Sequence, residues 1–204
     1  MTRALDALLR LADRVSLWAT WGGGALMLAA AFVVGVDVLL RKFFLFSLGG
    51  ADELSGYAFA ISTAWALSFT LLRRAHVRVD ALYGHLPQRM RAALDIAALL
   101  ALALFASMLA WHASAMWATS WDFAARATTP LQTPLWIPQG LWSLGLILFV
   151  LVTLALLLRT VVALAGGDLA AVRALAGART IEEDAADEAA IAAEVRTTPE
   201  SLRG

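Results

Sequence analysis

ADELSGYAFAISTAWALSFTLLRRAHVRVD, residues 51–80, decides the fold. The stretch opens on the acid pair Asp52-Glu53. It runs uncharged through the nineteen residues from Leu54 to Leu72, then closes on Arg73, Arg74, His76 and Arg78. A helix of about 20 apolar residues crosses a hydrocarbon core of about 30 Å. Lys and Arg gather on the cytoplasmic side of such helices. The stretch therefore predicts a membrane span with a marked basic end. Composition agrees: 61% of the chain is apolar and 16% charged, against about 45–50% and 25% in soluble domains. Such a chain needs lipid as a second solvent. Net charge is zero, which implies no nucleic-acid partner, and cysteine is absent. Disulfides, thiolate nucleophiles and cysteine metal sites are thereby excluded.

Working outward, three further uncharged runs give an all-α integral membrane protein. Its four transmembrane helices are expected at about 15–40, 54–73, 93–119 and 136–159. Helices satisfy their own backbone in lipid. A β-barrel would instead show ten-residue alternating segments, and none occurs. Residues 1–14 alternate arginines and aspartates with leucines three and four apart, which predicts an interfacial amphipathic helix rather than a secretory leader. In the cytoplasmic loop, Val79, Leu82, Tyr83 and Leu86 repeat at helical spacing and predict a second interfacial helix, ended by Pro87. Pro130, Pro134 and Pro138 predict a stiff, extended passage, with the last helix starting at or just after Pro138. Residues 15–165 thus form the membrane domain. The alanine-rich segment 166–204 reads as a partly helical, mobile cytoplasmic tail.

Charge sets the orientation. With the N-terminus inside, thirteen arginines fall on the inner side, and only Arg41, Lys42 and Arg126 on the outer. Both termini are therefore expected in the cytoplasm. Trp18 and Trp21 mark the inner interface, and Trp111, Trp117, Trp121 and Trp136 the outer one.

Chemistry is sparse. A haem held between helices needs two histidines at one depth. His112 lies about 24 Å deeper than His76 and His85, at 1.5 Å per residue. Asp37 precedes Arg41 by one turn, the spacing of a helical ion pair. Asp52 and Glu53 point about 100° apart on a helix, so they do not converge as a catalytic pair. They suit a helix N-terminus, where acids meet the positive end of the dipole. The serines show no hydrolase pattern. Gly24, Ala31 and Gly35, and Gly56, Ala60 and Ala64, are spaced for close helix packing. The inventory is rich in packing surface and poor in reactive groups, as in an accessory membrane subunit. The alternatives are a haem- or quinone-binding anchor of a respiratory enzyme and a small homodimeric exporter.

Four elements carry a family likeness. Arg41-Lys42-Phe43-Phe44 closes span one and Asp52-Glu53-Leu54 opens span two. LRRAHVRVDAL occupies residues 72–82, and TPLWIPQG residues 133–140. Together they resemble the small, DctQ-type membrane subunit of tripartite ATP-independent periplasmic (TRAP) transporters, over about residues 10–165. Ala75 stands where the family usually has Gly. The resemblance implies a bacterial inner-membrane scaffold, without catalytic activity or cofactor. Its expected partners are a large permease subunit, a periplasmic solute-binding protein and membrane lipids, in ion-driven uptake of an organic acid. It implies subunit or lipid contacts at Arg41, Asp52, Glu53, Arg73, Arg74, His76, Arg78 and Asp80.

Overall fold

A computed structural model describes residues 2–74 and 86–177, with the single positions 185 and 189. Among these residues there are five helices: α1 (Thr2–Phe44), α2 (Ala51–Leu72), α3 (Gln88–Asp122), α4 (Trp136–Ala165) and α5 (Leu169–Ala176). The first four are each long and apolar enough to cross a membrane. The molecule is an all-helical membrane protein, as its apolar runs predict.

α2 and α4 form the centre. α1 packs on α2 and touches α4, α3 packs on α4, and α5 lies across α4 and α3. The packing follows a repeat of seven. α1 buries Ser16, Gly23, Ala30 and Asp37, and α3 buries Ala92, Leu99, Ala106, Ala113 and Ser120. A seven-residue period keeps one seam on one neighbour in a left-handed supercoil. Small residues along that seam bring the backbones close. Leu71, Leu99, Phe149, Val152 and Leu156 fill the centre of the bundle. Thr153 and Thr160 are fully buried. Each donates to the carbonyl four residues back, at 2.7 and 2.8 Å, so neither hydroxyl is left unpaired in an apolar setting. Large apolar side chains such as Trp18, Leu28, Phe32, Phe105, Trp111 and Leu151 point outward. A soluble monomer rarely shows so much apolar surface.

Four expectations need correction. Residues 2–14 are helical but not a separate element, since α1 continues through them for 43 residues, or about 64 Å. No proline or glycine interrupts Thr2–Met27 before Gly22, so nothing stops the helix near residue 14. The segment after 165 is not wholly a loose tail. Asp168 caps α5, accepting from the Ala171 amide at 2.9 Å, and Val172 is fully buried with Ala92 and Ala163. The passage through Pro130 and Pro134 is a tight antiparallel excursion. The Ala127 amide donates to Thr133 O and the Leu135 amide to Ala125 O, both at 3.0 Å. Gln132, in the left-handed region at φ 48°, turns the chain. Pro138 then lies inside the first turn of α4, where an amide has no intrahelical acceptor to lose. Finally, Gly24, Gly35 and Gly56 face open space. Close approaches are instead at Gly23, Gly140 and Gly145. A Cβ on Gly23 would stand 3.2 Å from Ser62 Cα, and one on Gly145 would stand 3.0 Å from Ala64 Cβ. Ser62 Oγ donates to the Gly23 carbonyl at 2.8 Å.

Residues 75–85 lie outside the described residues, and with them most of the expected loop helix. The same holds for most of 178–204.

Candidate functional site

The connections α1–α2 and α3–α4 meet at one end of the bundle, around a buried aspartate. Asp37 is 1% exposed. Arg41, one turn on, forms a close ion pair with its Oδ2. Its Oδ1 accepts from Ser47 Oγ at 3.0 Å and from the Leu48 amide at 2.7 Å. The helix stops at Phe44, and Leu45 takes the left-handed region at φ 54°. That reversal swings Ser47 and Leu48 back over Asp37. Ser47 Oγ in turn accepts from the Gly49 amide at 3.2 Å. The helical pair expected between Asp37 and Arg41 is present. It is one arm of a larger arrangement that organises the whole α1–α2 connection.

Glu53 makes the second link. Tyr57 OH donates to its Oε1 at 2.8 Å, and the Thr129 hydroxyl donates to Oε2. Glu53 therefore joins α2 to the α3–α4 connection, 76 residues away. The acid pair lies at the N-terminus of α2, as expected, without capping it. The N-cap is Gly50, with no side-chain hydrogen bond. Asp52 still lies in the first turn with Glu53, where the helix dipole favours both acids. Gly50 has a packing reason: a Cβ there would overlap the Leu131 side chain. Gly49, at φ 72°, lies under Pro130. The side chains of Pro130 and Leu131 are thus seated directly on the backbone of Gly49 and Gly50.

A cavity of about 250 Å³ opens at this junction, lined by Asp37, Arg41, Ser47, Asp52, Glu53 and Thr129 among others. Three of the sequence-predicted contact residues, Arg41, Asp52 and Glu53, converge on it. Arg41 is half exposed, so its charge is presented outward. Behind the junction, Trp121 meets Trp136 edge-on with ring centroids 4.9 Å apart, and Trp117 at 6.0 Å. Such aromatic pairs add about 0.5–1.5 kcal/mol beyond area burial.

The remaining predicted residues lie elsewhere. Arg73 follows α2 at its other end, about 30 Å from Glu53 at 1.5 Å per residue. There it approaches Asp13 of α1 at 3.4 Å and covers the Phe69 ring. Arg74 is held in the left-handed region at φ 54°. His76, Arg78 and Asp80 lie outside the described residues. His112 is exposed on α3. Among the described residues no group of three potential ligands could hold a metal ion.

Reading the sequence missed Ser47, Tyr57 and Thr129. Tyr57 was within reach, because it stands four residues after Glu53, the spacing of a helical contact. Thr129 gives no local signal. Asp95 on α3 is a further buried carboxylate, 1% exposed.

The family model for tripartite ATP-independent periplasmic transporters, DctQ component, matches residues 30–163. The chain belongs to that family. The match begins at Ala30 in the α1 seam and ends at Ala163, where α4 meets α5. It thus spans the whole Asp37–Glu53–Thr129 junction. No curated protein and no solved structure matches the chain. As a DctQ component, the chain is the small membrane subunit of a three-part transporter. Two of the four elements that carry the DctQ resemblance are the basic one at 41–44 and the acidic one at 52–54. In the fold these are the two sides of one junction.

Proposed function

We propose that this chain is a scaffold without catalytic activity that holds the large permease subunit of its transporter. That subunit would carry the solute and the coupling ion, and a periplasmic binding protein would deliver an organic acid. Both termini lie in the cytoplasm on this reading, and the Asp37–Glu53 junction faces the periplasm. The observation that carries the proposal is the outer face of α1. Gly24 and Gly35 have no atom near the position of a Cβ. Leu28, Phe32, Val38 and Leu39 beside them are exposed. Backbone left bare within an apolar face suits a second helix approaching closely. On this reading Arg41, Asp52 and Glu53 stand at the periplasmic end of the bundle, around the Asp37 junction. Arg73 and Arg74 stand at the cytoplasmic end, with His76, Arg78 and Asp80 following in sequence.

Co-purification tests the proposal. Gly35→Leu should leave the isolated subunit folded and sharply reduce recovery of a tagged large subunit. Wild-type recovery with Gly35→Leu, combined with solute uptake by this chain alone in proteoliposomes, would overturn it.

A further inference from the structure

α1 carries a second seam, on the side away from its buried one. From Leu11 to Lys42, alternating steps of three and four residues land on exposed positions throughout. Trp18, Trp21, Leu28, Phe32 and Leu39 are the large members. Such steps make the seven-residue period of a left-handed coiled coil, in which each knob enters a hole formed by four residues of the facing helix. On a helix surface those four are i, i+3, i+4 and i+7. Phe32, Gly35, Val36 and Leu39 have that spacing, and they line a groove of about 490 Å³. Gly35 leaves its floor bare. Trp21, Gly24, Ala25 and Leu28 repeat the spacing, with Gly24 bare. Acyl chains need no such register, whereas a closely packed helix does. The seam ends in cations. Arg14 and Lys42 both lie on it, 28 residues apart, or about 42 Å. A bilayer with its headgroups is about 40–45 Å thick. Neither cation is in an ion pair among the described residues, and Lys42 lies over the Phe43 ring at 5.7 Å. A second copy of this chain is a poor occupant. Run parallel, it sets Arg14 on Arg14 and Lys42 on Lys42; run antiparallel, it sets Arg14 on Lys42. Like charges set against each other suppress a partner.

We propose that this face takes one transmembrane helix of another chain, apolar at seven-residue spacing and carrying a carboxylate near each end. Its large apolar side chains fill the holes over Gly24 and Gly35, and its carboxylates meet Arg14 and Lys42. The inference rests on the scaffold reading above and specifies the kind of helix that the large subunit brings to α1.

Photocrosslinking in membranes tests the seam, with p-benzoylphenylalanine replacing Leu28, Phe32 or Leu39 and a tagged large subunit co-expressed. Each position should crosslink to the large subunit. No crosslink from any of the three overturns the seam, and crosslinks to a second copy of this chain overturn its occupant. Co-purification tests the charges. Arg14→Gln and Lys42→Gln should each lower recovery of the large subunit about three-fold, and Arg14→Glu and Lys42→Glu by more. Both side chains are exposed, so the melting temperature of the isolated subunit should not change. Arg10→Gln, off the seam, should leave recovery at the wild-type level, and an equal loss there overturns the assignment to the seam. Undiminished recovery in all four Arg14 and Lys42 variants overturns the paired carboxylates and gives the two cations to lipid headgroups. The scaffold reading survives each of these results. It falls instead if the wild-type chain recovers no large subunit.

Discussion

At the scale of single residues, Asp37 organises the end of α1. It is a buried carboxylate that pairs with Arg41 and fixes the turn through Ser47 and Leu48. Removing one partner of a buried polar group costs more than removing both, because the survivor is left desolvated. Asp37→Ala leaves Arg41, Ser47 Oγ and the Leu48 amide without their acceptor. Arg41→Ala leaves Asp37 with two of its three bonds. Asp37→Ala should therefore lower the melting temperature in detergent by several degrees, and Arg41→Ala by clearly less. A thermal-shift comparison of the two checks this, and equal effects would show that the ion pair, not the turn, is what Asp37 supplies. Glu53 invites a similar contrast. Glu53→Gln keeps oxygen and nitrogen near Tyr57 and Thr129, whereas Glu53→Ala removes both bonds. The second change should loosen the α3–α4 connection and speed its proteolysis near Arg126.

At the scale of helices, one residue of rotation separates a packed glycine from a bare one. Gly23 presses on Ser62 and its neighbour Gly24 touches nothing. Gly23→Val should overpack the α1–α2 seam and cost about 1–3 kcal/mol. Gly24→Ala should be neutral or stabilising by about 0.5–1 kcal/mol, since alanine is the better helix former. Denaturation of both variants in detergent checks the pair, and a cost for Gly24→Ala would mean that α1 is rotated from the position described. The same rotation explains what the sequence concealed. The four spans were legible because length and apolarity need no knowledge of neighbours. The seam was not, because Gly22-Gly23-Gly24 read alike and alanine fills every face of α3. Helix after residue 165 was expected, but the docking of α5 was not, because Val172 is buried by Ala92 and Ala163, contacts that exist only once α3 and α4 are packed. Within the junction, Asp37 with Arg41 was visible at helical spacing. Thr129 was not, since a contact across 76 residues leaves no local trace.

At the scale of the whole molecule, the described residues place polar contacts at both ends of the bundle and an apolar span between them. Asp37, Arg41 and Glu53 order the loop end. At the other end Arg159 meets Asp6 at 2.7 Å, and Arg73 meets Asp13 at 3.4 Å. Both pairs tie the first turns of α1 to α4 and α2. Partly exposed ion pairs contribute only about 0–1 kcal/mol each, so they set the register of α1 more than its stability. α1 is about 64 Å long at 1.5 Å per residue, roughly twice a hydrocarbon core of about 30 Å. A helix that long, seated by a small-residue seam on one side and bare at Gly24 and Gly35 on another, is a stiff rod with a face to spare. If that face carries the large subunit, two bulky changes on it should differ in outcome from two in the seam. Gly24→Leu and Gly35→Leu should keep the melting temperature of the isolated subunit and abolish co-purification of the complex. Gly23→Leu and Gly145→Leu should lower the melting temperature first, with the complex lost as a consequence. Measuring melting and recovery on the same four variants separates a docking face from a folding seam. Retained complex in Gly24→Leu and Gly35→Leu would move the partner to the faces of α3 and α4, where Phe105, Trp111 and Leu151 are the next large exposed apolar side chains.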